Sequence, residues 1–132
     1  MSKLWALDIQ NMHKHYNVHQ AIEKMDKNLL KELLKFRINF LKEELTELET
    51  AENAEDVVDA LVDLCVVAIG TLDCFNVDAD EAWCRVLDAN MKKVPGVKES
   101  RPNPLGLPDL IKPEGWVAPN HEGNHGRLTE IF

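Results

Sequence analysis

Residues 1–94 lack proline and hold a single glycine, Gly70; all six prolines and the other five of the six glycines lie beyond Val94. A stretch this long without helix breakers, and without a run of alternating apolar and polar residues, excludes a strand-and-turn architecture and reads as helices. Cysteine is scarce as well. Cys65, Cys74 and Cys84 are odd in number, show no CxxC spacing and sit inside apolar helical patterns, so we expect buried reduced thiols and neither a disulfide framework nor a cysteine zinc site. No apolar run reaches the roughly 18–20 residues that cross a bilayer. The opening "MSKLWALDIQNMHKHYN" also lacks the basic-then-apolar order of a secretory signal, so a soluble cytoplasmic protein with no membrane partner is expected. Positive charge is in short supply: 15 Lys and Arg stand against 23 Asp and Glu, for a net charge of −8, which argues against a nucleic-acid partner. A phosphate-bearing ligand would need metal ions as intermediaries.

What is present is a chain of 132 residues, 45% hydrophobic and 29% charged, an ordinary globular balance that fits one domain. The spacing of apolar residues predicts helices over about 4–16, 26–52, 54–75 and 80–93, with Asp78 or Asp80 as a cap for the last. The link "AENAED" is short enough to fold the second and third helices into an antiparallel hairpin. The expected fold class is all-α: a helical bundle over residues 1–94 followed by a Pro/Gly-rich tail, 95–132, packing on it.

The segment "FLKEELTELETAENAEDVVDALVDL", residues 40–64, carries nine acidic side chains among leucines and valines, and their direction matters more than their number. At about 100° per residue, the second helix places Leu30, Leu33, Leu34, Arg37, Phe40, Leu41, Glu44, Leu45 and Leu48 on one face. Glu44 therefore lies inside an apolar stripe, Glu47 borders it, and Glu43 falls toward the wetter side. The third helix is apolar almost all round, as a buried helix is, and its one remaining strip holds Asp56, Asp59, Asp63 and Gly70. Facing carboxylates in such surroundings repel one another and cost several kcal/mol each if uncompensated. Arg37 can neutralise one of them, and Asp63 can pair with it or with a lysine. For the rest the natural counter-charge is a hard, oxygen-seeking cation, Mg²⁺ or Mn²⁺. Glu49, Glu52 and Glu55 read as solvated. A di-iron bundle would need Glu-x-x-His pairs, and none occurs on these helices.

These residues also carry a resemblance. Glu43-Glu44-Leu-Thr-Glu47 and Asp56-Val-Val-Asp59 are similar to the EExxE and ExxD halves of the signature of all-α nucleoside triphosphate pyrophosphohydrolases, the superfamily of MazG, dimeric dUTPases and phosphoribosyl-ATP pyrophosphohydrolase. The strings "FRINFLKEELTEL", "DALVDLCVVAIG" and "NMKK" look closest to the phosphoribosyl-ATP pyrophosphohydrolase-like branch of phages and bacteria. The resemblance runs over roughly residues 8–120, including "KPEGWVAPN". It implies hydrolysis of a nucleoside triphosphate between the α and β phosphates, with Mg²⁺ held by Glu44, Glu47, Asp56 and Asp59 and with Glu43 orienting or deprotonating the attacking water. Asp56 stands where the signature has glutamate; its shorter reach leaves room for a bridging water or for Asp63 to take its place. Asn90 and Lys93, from "NMxK", would contact phosphate or sugar, as would Arg37 in the same pocket.

"HEGNH" at 121–125 has the HExxH spacing of zinc proteases, but Pro119, Asn120, Gly123 and Gly126 argue against the helix that motif requires. In the tail, Leu105, Leu107, Leu110, Ile111 and Trp116 call for burial, and Trp116 is a candidate for stacking on a base. His13 and Tyr16 are candidates for lining the same pocket, while Trp5 and Trp83 read as core or interface. Four modest helices bury little core alone, and the superfamily pairs them, so a homodimer or homotetramer is expected. The functional expectation is an Mg²⁺-dependent nucleotide pyrophosphohydrolase acting on a nucleoside triphosphate. The alternatives are phosphoribosyl-ATP as the substrate, or a non-catalytic helical protein that binds metal or a basic partner.

Overall fold

The computed structural model describes residues 4–100 and 104–132. Five α-helices run through them: α1 (Trp5–His15), α2 (Val18–Glu23), α3 (Lys27–Glu49), α4 (Ala54–Cys74) and α5 (Ala79–Met91). The fold is all-α, with a two-stranded antiparallel hairpin of β1 (Val94–Gly96) and β2 (Asp109–Ile111) and a closing 3₁₀ turn, Gly126–Glu130.

Side chains set the helix limits. Asp26 caps α3 by accepting the Leu29 N–H at 3.0 Å, and Asn53 caps α4 by accepting the Asp56 N–H at 2.8 Å. Between them, Thr50 turns its hydroxyl back onto the Thr46 carbonyl at 2.9 Å, which leaves only a short link before Asn53. The hairpin is antiparallel, as the link predicts: Arg37 of α3 meets Val67 and Thr71 of α4, whereas Glu44 of α3 meets Asp63. Helix α5 begins directly after Asp78, one of the two expected caps.

The described residues of Met1–Ala79 together with His125–Phe132 form one compact unit, and those of Asp80–Asn124 a second. This division differs from the boundary expected at residue 94. Helix α5 groups with the segment that follows it, and the last eight residues return to the first unit. In that first unit Ile22, Leu30, Cys74, Phe75 and Val77 form the buried core, flanked by Leu33, Leu34, Leu72, Leu128 and Ile131. Arg127 ties the closing segment down: its N–H donates to the Phe75 carbonyl at 2.7 Å, and its guanidinium donates to the carbonyls of Ile22 and Met25 at 2.8 Å each. A Cβ on Gly126 would collide with the Phe75 carbonyl, so only glycine permits this approach. In the second unit, Trp116 Nε1 donates to the Ala89 carbonyl at 2.8 Å, and Arg85 donates to the Glu122 carbonyl at 2.9 Å, which packs the following segment against α5.

Several expectations are corrected. Helix α2 was not anticipated; Asn17, in the left-handed conformation at φ 59°, breaks the chain after α1 and starts it. The β1–β2 hairpin was missed because three-residue strands are too short to show a period. Leu105, Leu107 and Leu110 are exposed rather than buried: the first two precede β2, and Leu110 lies in a two-stranded ribbon with no second layer to cover it. Cys74 is buried as expected, but Cys65 is half-buried and Cys84 exposed. Trp5 and Trp83, expected in core or interface, are 56% and 69% exposed in the single chain, which removes the core alternative alone. Helix α4 is not covered all round within one chain: Val57, Val58, Leu61 and Val62 remain exposed near its N-terminal end.

Candidate functional site

Helix periodicity places Glu44 and Glu47 three residues apart on one face of α3, and the antiparallel hairpin brings Asp63 of α4 opposite them. One carboxylate oxygen from each falls within 4.8 Å of the others. Glu44 is the buried member, at 8% exposure, and its Oε2 has no hydrogen-bond partner among the described residues. Burial raises the Glu44 carboxyl above its ordinary range, and the charge of Glu47, a carboxyl-to-carboxyl hydrogen bond with it, and the charges of Asp63 and Glu43 push it further the same way. A hydrogen bond between two carboxyls exists only while one of them keeps its proton. A divalent cation would supply the counter-charge that the buried Glu44 carboxylate lacks, and an all-carboxylate donor set suits a hard, oxygen-seeking ion. The orphaned Glu44 oxygen and the donor chemistry thus fit the metal that the sequence calls for.

The other expected site residues are distributed as follows. Glu43 is exposed and stands beside Glu44 outside the triad. Asp56 and Asp59, both exposed, do not join the group of three. The Asp56 carboxylate accepts from the Asn53 side-chain amide at 3.0 Å, so it serves the cap of α4. Arg37 turns away from the carboxylates to clamp α4: its guanidinium donates to the Val67 carbonyl at 2.9 Å and to Thr71 Oγ1 at 3.0 Å, and its charge lies over the Phe40 ring. Gly70 makes room for this clamp, because a Cβ there would stand 2.6 Å from Arg37 Nη2. Asn90 and Lys93 belong to the second unit, where Lys93 and Lys112 place their ammonium groups over the Trp116 ring at 5.1 and 5.2 Å. That ring borders a cleft of about 740 Å³ within the unit, lined also by Arg85, Lys92 and Pro113. No helix covers 121–125, so HEGNH does not present its histidines as a zinc-protease motif does.

A second constellation went unnoticed in the sequence. His13 of α1 and His19 of α2 both point a ring nitrogen at one oxygen of Asp73 on α4, Nδ1 at 2.6 Å and Nε2 at 2.7 Å from Oδ2. His13 and Tyr16, both candidates for one pocket, part company: His13 is buried at 6% exposure beside Asp73, whereas Tyr16 lies exposed with its ring against His15. The only sequence signal for the trio was a pair of histidines either side of the α1–α2 break. Asp73 lies ten residues beyond Asp63, which separates the two constellations by about 15 Å along α4.

No curated protein and no solved structure matches the chain. A family model described as phosphoribosyl-ATP pyrophosphohydrolase matches residues 14–90, the span that holds α2, α3, α4 and both constellations apart from His13.

Proposed function

Because the chain belongs to the phosphoribosyl-ATP pyrophosphohydrolase family, hydrolases acting on acid anhydrides, we propose that it cleaves a ribo- or deoxyribonucleoside triphosphate between the α and β phosphates, giving a monophosphate and pyrophosphate, with Mg²⁺ or Mn²⁺ held by Glu44, Glu47 and Asp63. The observation that carries this reading is the convergence of those carboxylates around a buried Glu44 oxygen with no partner of its own. A bound divalent cation supplies charge neutralisation of the triphosphate and Lewis acidity toward the reacting phosphate. Glu44 and Glu47 of α3 and Asp63 of α4 would hold that cation. Glu43, exposed next to Glu44, receives the proton of the water whose oxygen attacks the α phosphorus. The α–β anhydride bond breaks, and the pyrophosphate departs with its electron pair. Asp59 and Asp56, one and two turns before Asp63, are in this reading outer groups that act through water. Arg37 is a positioning residue, since its bonds to Val67 and Thr71 fix how α3 lies along α4.

Phosphoribosyl-ATP is the second reading for the substrate, favoured by the description of the matched family. The same bond breaks in either case. The test is incubation of the purified protein with each common NTP and dNTP and with phosphoribosyl-ATP, with and without Mg²⁺ or Mn²⁺, resolving products by anion-exchange chromatography. Metal-dependent release of monophosphate and pyrophosphate supports the reaction, and the ranking of substrates decides between the readings. Release of diphosphate and phosphate would place the cut at the wrong bond. Absence of turnover on every substrate would favour a metal- or partner-binding protein.

A further inference from the structure

The His13–His19–Asp73 trio lies outside the chemistry described above. Its three ligand atoms come from three different helices and fall within 4.8 Å of one another. Two imidazoles at 85° to each other converge on the same carboxylate oxygen. His13 is buried, while the side chains of His19 and Asp73 are 41% and 12% exposed and border a cleft of about 600 Å³ that also takes in Gln10, Glu23 and Arg127. We propose that this trio is a binding site for a zinc-class divalent transition ion, separate from the hard-cation carboxylates at the other end of the α3–α4 hairpin.

Two neutral imidazole nitrogens and one carboxylate, with an open side facing water, form the donor set of a three-ligand zinc site with a fourth position left to solvent. Softer imidazole donors select against Mg²⁺, whereas the Glu44 group, all oxygen, favours it. Each ring coordinates through the nitrogen that faces Asp73, with its ring proton on the other one, Nε2 of His13 and Nδ1 of His19. Tetrahedral bonds of about 2.0–2.1 Å set ligand atoms about 3.3 Å apart, so the present 2.6 and 2.7 Å separations must open by about 0.6–0.7 Å. The half-exposed His19 on the six-residue α2 opens its own separation from Asp73 at little steric cost, and the Asp73 carboxylate must shift to open the one from buried His13. An ion there would join α1, α2 and α4 at one point.

The experiment uses the untagged full chain, stripped with chelator and returned to excess Mg²⁺ so that the carboxylate triad is occupied. Co²⁺ is titrated while its d–d absorption is followed, and Zn²⁺ is titrated by calorimetry. The expected result is one equivalent bound in the presence of Mg²⁺, weakened at least about 100-fold in His19→Gln and in Asp73→Asn and unchanged in Glu44→Gln. Far-UV circular dichroism of the metal-free variants checks folding; His19→Gln, on a half-exposed side chain, decides alone if Asp73→Asn does not fold. Absence of binding over Mg²⁺, binding indifferent to His19→Gln, or binding lost in Glu44→Gln would each overturn the proposal.

Discussion

Replacing Arg127 by alanine removes the side chain that fastens the end of the chain to the first unit. Its guanidinium makes two bonds of 2.8 Å to backbone carbonyls, those of Ile22 and Met25, and is paired with Glu130 at 2.7 Å. A hydrogen bond from a charged donor contributes about 1.5–3 kcal/mol when sheltered. This side chain is 24% exposed, and the Ile22 carbonyl keeps a second donor in the Met25 N–H, so the lower end applies and the two together amount to about 2–4 kcal/mol. Urea unfolding followed by circular dichroism should show Arg127→Ala less stable by that amount, with Arg127→Lys, which offers a point charge in place of a fork, between the two. The pairing also leaves a pH signature. The Arg127 hydrogen bond lowers the Glu130 carboxyl below its ordinary value, so this contribution is present above the unfolded value of 4.5 and is lost as pH falls through the lowered one. That dependence should vanish in Arg127→Ala. An Arg127→Ala protein within about 0.5 kcal/mol of the parent would refute the view that the closing segment is fastened through this residue.

Further expectations follow from the same geometry. Glu43→Gln should leave circular dichroism and metal-induced stabilisation unchanged while turnover falls about 10²–10⁴-fold, as loss of a general base does; full activity in a steady-state assay would remove Glu43 from the mechanism. Because folding raises the Glu44 carboxyl, the metal-free native state binds more protons than the unfolded chain, so its stability should decline as pH rises from 4.5 through the raised value. Saturating Mg²⁺ should abolish that decline in urea midpoints measured across the range, and a metal-insensitive profile would contradict the cation assignment. Leu30→Ala, at a fully buried position between Phe75 and Ile22, should cost about 2–5 kcal/mol in the same unfolding assay.

Periodicity carried the helices well. The stripe containing Glu44 foretold that this glutamate would be buried, and the short link after Thr50 foretold the antiparallel hairpin that brings α4 to it. The family resemblance, resting on EExxE and its companions, is matched by the family model over residues 14–90. What the sequence concealed was decided by tertiary packing. Asp56 and Asp63 share one strip of α4, and a difference of about two turns determines which of them reaches α3. Arg37 shares its stripe with Glu44, yet the space opened by Gly70 draws its guanidinium toward Val67 and Thr71. His19 and Asp73 are separated by 54 positions, and only the turn at Asn17 and the packing of α2 against α4 bring them together. The β hairpin was illegible for a related reason, since three-residue strands offer too little pattern to read.

The return of residues 125–132 to the first unit has a consequence for the order of synthesis. Leu128 and Ile131 complete the packing around Phe75, and the Arg127 fork closes the end of α2. While the chain is being made, α1 to α4 emerge first, but their core stays open until everything from Asp80 to Asn124 has followed. At roughly 5–20 residues per second that interval lasts several seconds. Throughout it Phe75 and its neighbours lack their final cover, and the residues of the second unit are made before the first unit is complete. Until residues 125–132 have been made, the nascent first unit is therefore open to proteases and to sticking to its neighbours, although α1 to α4 are already built.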